Sequence, residues 1–411
     1  MAAKAGSDRA AAPGRTRDDV GLADARVRER ARSLGFEAVA VARADVPLDD
    51  DFARYRAFLD AEMHDGMPWL ADHAEVRRAL DGEGILAGAK SVVCLARRYQ
   101  READEEDRDP PLARRIARYA RGRDYHVGMR KKLRKLAAFV RTLGGPDAPV
   151  RARPIADDAP VLERAWAARA GLGFVGKNGL LIVPGHGSMV LLGEVVTTLA
   201  LTPDSPIDGR CGACTRCLDA CPTGAFERPF VLDPRRCVAY LTIEHRGAVP
   251  VALREAIGEH LFGCDDCQTV CPFNGARQRD AGAKAPFEPL PRWSELALTD
   301  LLALDDGAWA RVAEGTPIHR ATRDGLARNA ALVLGHAEGR AERAAAIPSL
   351  RAAAAEHPSP IVRDAASWAL GRIDRVIGVI GVVGAGGAEG VDHVQGAAHV
   401  EDVAPHVARP R

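Results

Sequence analysis

The sequence predicts an α+β chain: a helix-and-sheet domain, then a cysteine-rich module, then a C-terminal run of helices. Three observations carry this. Helical and strand-like patterns alternate up to about residue 200, eight of the nine cysteines lie between Cys211 and Cys271, and two similar helical strings recur beyond residue 320. The 411 residues suffice for two or three domains. With 57 basic and 56 acidic side chains the chain is near neutral, so a polyanionic partner must be met by a local patch. No apolar stretch reaches the ~18 residues that a membrane span needs, so no membrane partner is expected.

Residues 1–19 are rich in Ala, Arg, Asp and Gly without periodicity and read as a disordered tail. From 20 to 200 the pattern is that of one α/β-type domain. Phe36 to Val41 alternates as a strand does, and Asp51–Ala61 and His126–Leu143 carry helical spacing, the latter with a basic face. Ser91–Ala96, Leu180–Val183 and Met189–Thr198 are largely apolar, β-branched runs suited to a buried sheet. Residues 201–290 form the cysteine module and the Pro-rich, charged loop that ends it. Residues 291–375 read as helices, with Leu326–Gly335 recurring roughly as Ile361–Gly371, the mark of a HEAT-like array. Residues 376–411 are Gly-, Ala- and Val-rich and read as a low-complexity tail.

The cysteine spacing is the most specific signal. Cys211, Cys214, Cys217 and Cys221 follow C-x2-C-x2-C-x3-C-P, the ligand pattern of ferredoxins with two [4Fe–4S] clusters. Cys264, Cys267 and Cys271 repeat it one cysteine short, and Cys237 fills the gap. In that fold the fourth cysteine of each run crosses to the other cluster. One cluster takes Cys211, Cys214, Cys217 and Cys271; the other takes Cys221, Cys237, Cys264 and Cys267. Structural zinc gives no reason for this spacing, and disulfides need an oxidising compartment, for which no signal peptide opens the chain. A reducing cytoplasm is expected. Cys94, in an apolar strand-like run, is a small core residue.

An electron-relay module implies a redox partner site in the first domain. Gly171-Leu-Gly173-Phe-Val-Gly176 has dinucleotide-fingerprint spacing, yet it follows a helical run, Val161 to Ala170, where the fingerprint must follow a strand. It is either an ordinary loop or one of close approach to a large flat cofactor, with Lys177 and Asn178 as polar contacts. Asp157 or Asp158 reads most simply as the cap of a helix beginning at Pro160.

Several strings then converge. Gly122-Arg-Asp-Tyr125-His126, Arg153-Pro-Ile-Ala-Asp157-Asp-Ala-Pro160-Val-Leu-Glu163-Arg164, Gly176-Lys177-Asn178, Leu192-Gly-Glu194, Tyr240-Leu-Thr-Ile-Glu244 and Gly263-Cys-Asp-Asp-Cys-Gln occur in order. With the cysteine array, and from about residue 20 to 375, the chain resembles the epoxyqueuosine reductases. The resemblance implies reduction of epoxyqueuosine in a tRNA anticodon stem-loop to queuosine. It also implies cobalamin, bound base-off, beside two [4Fe–4S] clusters, an external low-potential electron donor and a monomer. Asp157 is then the proton donor, with burial beside the cofactor raising its pKa, and the helix cap passes to Asp158. Tyr125 and His126 become polar groups on the substrate side. Arg78, Lys177, Asn178, Ser188 and Asp265 become cofactor contacts. Arg320, Arg323 and Arg328, otherwise a solvated helix face, become phosphate contacts on the tRNA. Where the family often has Asn-Tyr this chain has Arg98-Tyr99, and where it usually has a small hydroxyl residue this chain has Asp158.

Two rivals fit parts of the pattern. A reductive dehalogenase-like corrinoid enzyme shares the cofactors but would carry an export signal and has no use for basic C-terminal helices. A non-enzymatic ferredoxin-type electron carrier would have clusters and no cobalt.

Overall fold

The computed structural model describes residues 17–275 and 287–385. Helix α1 (Arg17–Ser33) leads into strand β1 (Ala38–Arg43), helix α2 (Asp49–Asp60) and strand β2 (Ser91–Arg98). Helix α3 (Tyr125–Arg141), strand β3 (Ala152–Ile155) and helix α4 (Glu163–Arg169) follow. A small hairpin of β4 (Phe174–Val175) and β5 (Leu181–Ile182) precedes the long strand β6 (Val190–Thr197). The main sheet runs β1-β2-β6-β3 and is antiparallel throughout. The apolar runs left parallel and antiparallel pairing open because both sheet faces are covered, which removes the polar alternation that marks a half-solvated antiparallel strand.

On one face, Val41, Val93, Leu95 and Val195 pack with Val27 of α1 and with Met129, Leu133, Leu136 and Val140 of α3. On the other, Ala40, Val92, Cys94, Ile155 and Val196 pack with Trp166, Ala167 and Ala170, at and just beyond α4. Cys94 is wholly buried there, as expected of a small hydrophobe. The glycines around residue 173 serve packing. A Cβ on Gly171 would lie 2.2 Å from the Ser205 carbonyl oxygen, and one on Gly173 would lie 2.4 Å from that of Ile182. The ordinary-loop reading of that motif accounts for both.

Beyond β6 come the short helices α5 (Arg216–Asp219), α6 (Val238–Ile243) and α7 (Asp266–Thr269), then α8 (Arg323–Leu334), α9 (Arg340–Glu356) and α10 (Pro360–Ala385). The two similar strings lie on α8 and α10, which pack on each other. A third core joins α6 to these helices through Leu241, Phe262, Trp293, Leu326, Ala330, Leu350 and Ala366. Helix α1 begins inside the stretch read as a tail, at Arg17, and α10 runs to Ala385, past the expected boundary at 376. The remaining tail residues, 1–16 and 386–411, lie outside the described residues. No helix among the described residues is long and apolar enough to cross a membrane.

Candidate active site

The eight module cysteines are all free thiols, each partly buried. Their mutual repulsion sorts them. Burial and then Cys271, Cys211 and Cys214 push the Cys217 thiol up. Burial and then Cys237, with Asp265, Cys217 and Cys221 adding, push Cys267 up to about 12. Cys237 in turn feels burial and Cys221. Such crowded thiols are protonated when empty, so loading them with a cation releases protons. The grouping fits two cluster sites side by side. Cys264 is flanked by His260, which hydrogen-bonds it and whose Nε2 lies 3.0 Å from Asp266 Oδ1.

A cavity of about 270 Å³ opens among the first set, lined by all four of its cysteines, Cys211, Cys214, Cys217 and Cys271, together with Lys177 and Asn178. Lys177 Nζ donates to the carbonyls of Gly212 (2.8 Å) and Cys214 (3.0 Å), tying the β4–β5 turn to the cysteine loop. Asn178 is buried and its Oδ1 accepts from Leu180 N, while its Nδ2 has no acceptor among the described residues. That orphaned donor faces a need for a bound polar group. Ser188 is also buried, with its hydroxyl donating to Gln268 and accepting from Asn274. Asp265 accepts from Arg118 N (2.7 Å) and Gln268 Nε2. These two residues hold loops together. Arg78 faces outward to Asp49 (2.7 Å), both side chains more than half exposed. Its neighbour Arg77 is the buried one, donating to the Trp69 carbonyl.

The Asp157 group sits just past the end of β3. Asp157 has φ 54°, a left-handed backbone that Asp tolerates and most residues do not. Tyr125 Oη and His126 Nε2 each lie 3.5 Å from its Oδ2. Both come from the first turn of α3, which Asp124 caps by accepting His126 N; the same carboxylate meets His126 Nδ1 at 2.7 Å. Burial would lower the His126 pKa, but hydrogen bonds that the ring donates to Asp124 and Asp157 override it and raise the imidazole to about 9. The Asp157 side chain is 67 % exposed, so the burial expected of the proton donor is not supplied by the protein alone.

Asp158 does not cap a helix. α4 starts at Glu163, its N-cap Leu162 makes no side-chain hydrogen bond, and Asp158 instead accepts from Ala156 N and pairs with Arg130. Behind Asp157 lies a second acidic pair that motif reading passed over. Glu163 Oε1 accepts the Asp157 N–H at 2.9 Å. Glu194, wholly buried in β6, meets Glu163, and neither of its oxygens has a donor partner among the described residues. Burial, then the neighbouring Asp157 charge, pushes Glu163 up to about 7, and burial together with Glu163 pushes Glu194 well above the carboxylate range. The signal was present: Glu194 is the one charge in the apolar run Val190–Thr197.

The arginines divide. Arg320 lies on a short 3-10 helix, half-exposed, bonded to Glu244 (2.7 Å) and over the Trp69 ring (4.7 Å). Arg323 opens α8 and pairs with Asp306 and Asp324. Thr322, at φ 65°, separates the two, so they share no continuous helix face. Arg328 overturns the phosphate-contact expectation: it is 1 % exposed and donates to the carbonyls of Leu241, His245 and Gly247. Its guanidinium ties α8 to α6 and the residues after it.

Residues 210–274 match a family described as a 4Fe-4S double cluster binding domain, and residues 80–157 match one described as Epoxyqueuosine reductase QueG, DUF1730. An epoxyqueuosine reductase of Xanthomonas campestris pv. campestris is 40% identical over 359 residues, 87% of this chain and 98% of that protein. This chain belongs to the epoxyqueuosine reductase family. The family's enzyme from Gloeobacter violaceus is 43% identical over 318 residues, 76% of this chain and 95% of its own length. A solved family structure with an epoxyqueuosine-modified tRNA-Tyr stem-loop superimposes with a TM-score of 0.74 at 32% identity, covering 85% of this chain and 89% of that one. The chain is therefore an oxidoreductase with a double iron–sulfur cluster domain.

Proposed function

We propose that this enzyme reduces the epoxide of epoxyqueuosine, at the wobble position of a tRNA anticodon, to the alkene of queuosine. Two electrons and two protons enter and the epoxide oxygen leaves as water. When bound, the clusters held by the eight cysteines would supply electrons one at a time. Asn178, whose buried Nδ2 has no acceptor among the described residues, would help hold a corrinoid, which when bound would supply a strongly reducing cobalt centre. Residues 20–200 carry the corrinoid and substrate, 201–290 the clusters, and 291–375 a HEAT-like tRNA surface. The enzyme works in the cytoplasm.

The protein's own part is protonation. Asp157 gives its proton to the leaving oxygen. Tyr125 and His126 both contact Oδ2, which leaves Oδ1 free to face the substrate. His126 stays protonated at neutral pH because Asp124 holds it there. Arg320 and Trp69 together present a cation and an aromatic face, which suits an RNA phosphate and an unstacked base. The observation that carries the reading is the Asp157 cluster: a strained carboxylate gripped by a phenol and an imidazolium, in a chain that also holds two four-cysteine sites.

Asp157→Asn tests it. With cobalamin, reduced clusters and epoxyqueuosine-bearing tRNA, the variant should keep the iron–sulfur and corrinoid absorption of the wild type and lose at least about a hundredfold in turnover. Normal turnover would remove Asp157 from its role.

A further inference from the structure

We propose that Glu163 and Glu194 form a buried proton store that recharges Asp157 during turnover. The proposal rests on the Asp157 reading above and extends it. Loss of the epoxide oxygen as water takes two protons, and Asp157 carries one. Here its carboxyl is open to solvent, but bound tRNA and cofactor must cover it for the reaction to proceed out of water. The second proton then has to come from the protein side.

The geometry provides that side. Glu194 shares its sheet face with Cys94 and Val196, under α4, and pairs across the β3–β6 ladder with Ile155, two residues before Asp157. Glu163 is the first residue of α4 and touches the Asp157 backbone at 2.9 Å. Asp157 and Asp158 are acidic, and Cys94 and Tyr125 are neutral, with burial pushing both of these further up. Among cations, Arg164 feels the Glu163 charge, and its guanidinium is bound to the Gly179 carbonyl. A carboxyl with no donor partner, buried against another carboxyl, can persist only if a proton lies between them, because two bare charges there are too costly. The step is a proton transfer. Glu163 gives its proton to the Asp157 carboxylate once that group has protonated the leaving oxygen, Glu194 keeps its own proton between the two so that the pair carries a single charge, and solvent restores the other proton after product leaves.

Infrared spectroscopy of the purified wild type at neutral pH should show a buried protonated-carboxyl C=O band that weakens and shifts in Glu194→Gln and in Glu163→Gln. In Glu194→Gln, kcat should fall roughly tenfold to a hundredfold with KM little changed. The alkaline limb of its pH–rate profile should also move to lower pH. Glu163→Gln, at a less buried position, provides the same test should Glu194→Gln fold poorly. A wild type without the band, or variants with unchanged rate and pH profile, would overturn the store. Failure of the underlying reading looks different: wild type that converts no tRNA, or Asp157→Asn that converts it normally.

Discussion

Arg320 and Arg328 are the same residue eight positions apart and do opposite work. Arg328 donates to three backbone carbonyls from a fully buried site, while Arg320 keeps half its surface in water. Arg328→Met leaves those carbonyls unpaired in the core and should cost about 3–5 kcal/mol of stability, read as a lowered Tm. Arg320→Ala should leave stability within about 0.5 kcal/mol, weaken tRNA binding and flatten its salt dependence by about one ion. Equal affinity in filter binding at two salt concentrations would return Arg320 to plain surface. The sequence shows basic spacing but not which way each guanidinium turns. That is decided by Thr322, whose positive φ breaks the helix between Arg320 and Arg323, a turn that nothing in its residue type announces. Glu194 was legible in principle, because a lone charge inside an apolar strand is costly and so asks for a reason.

At the scale of elements, the cysteine module was legible because ligand spacing is fixed by cluster chemistry, and the helical spans were legible because their apolar period is long. Helix α3 begins within one residue of its sequence limit, at Tyr125, because Asp124 caps it. Strand pairing was not legible, since a sheet covered on both faces erases the alternation that tells one ladder from another. The start of α4 was also misplaced by three residues, because Asp158 prefers the Ala156 amide to a cap. The α3 terminus carries a pH prediction. His126 is raised from 6.5 to about 9, so its pairing with Asp124 stabilises fully below about pH 6.5 and fades as pH rises through about 9. Asp124 is lowered by the same hydrogen bond, so its share survives until pH falls through its depressed pKa, below 3.8. The Tm gap between wild type and His126→Gln should therefore be widest near pH 5–6 and close above about 9. A gap that is constant with pH would show that His126 is held by packing alone.

Across the whole molecule, cluster chemistry and the C-terminal helices share one core. Leu241 and Thr242 of α6 follow Cys237 closely and accept from Arg328 and Asn329 of α8, and Leu261, near Cys264, accepts from Asn329 as well. The cysteine module's second half is thus fastened to α8, the helix that Arg323 opens. Cys217→Ala, in the first site, should remove roughly half the iron and stop turnover while leaving this region unchanged. Cys264→Ala, in the second, should remove a similar share of iron but also loosen the α6–α8 contact. Hydrogen exchange would then quicken across residues 323–334 and tRNA binding would weaken. The two variants lose the same chemistry, so any difference between them in exchange and RNA affinity reports the mechanical link alone. Identical exchange in both would mean that α8 is held by its own helices, Leu326, Ala330 and Ala366 packing without help from the metal.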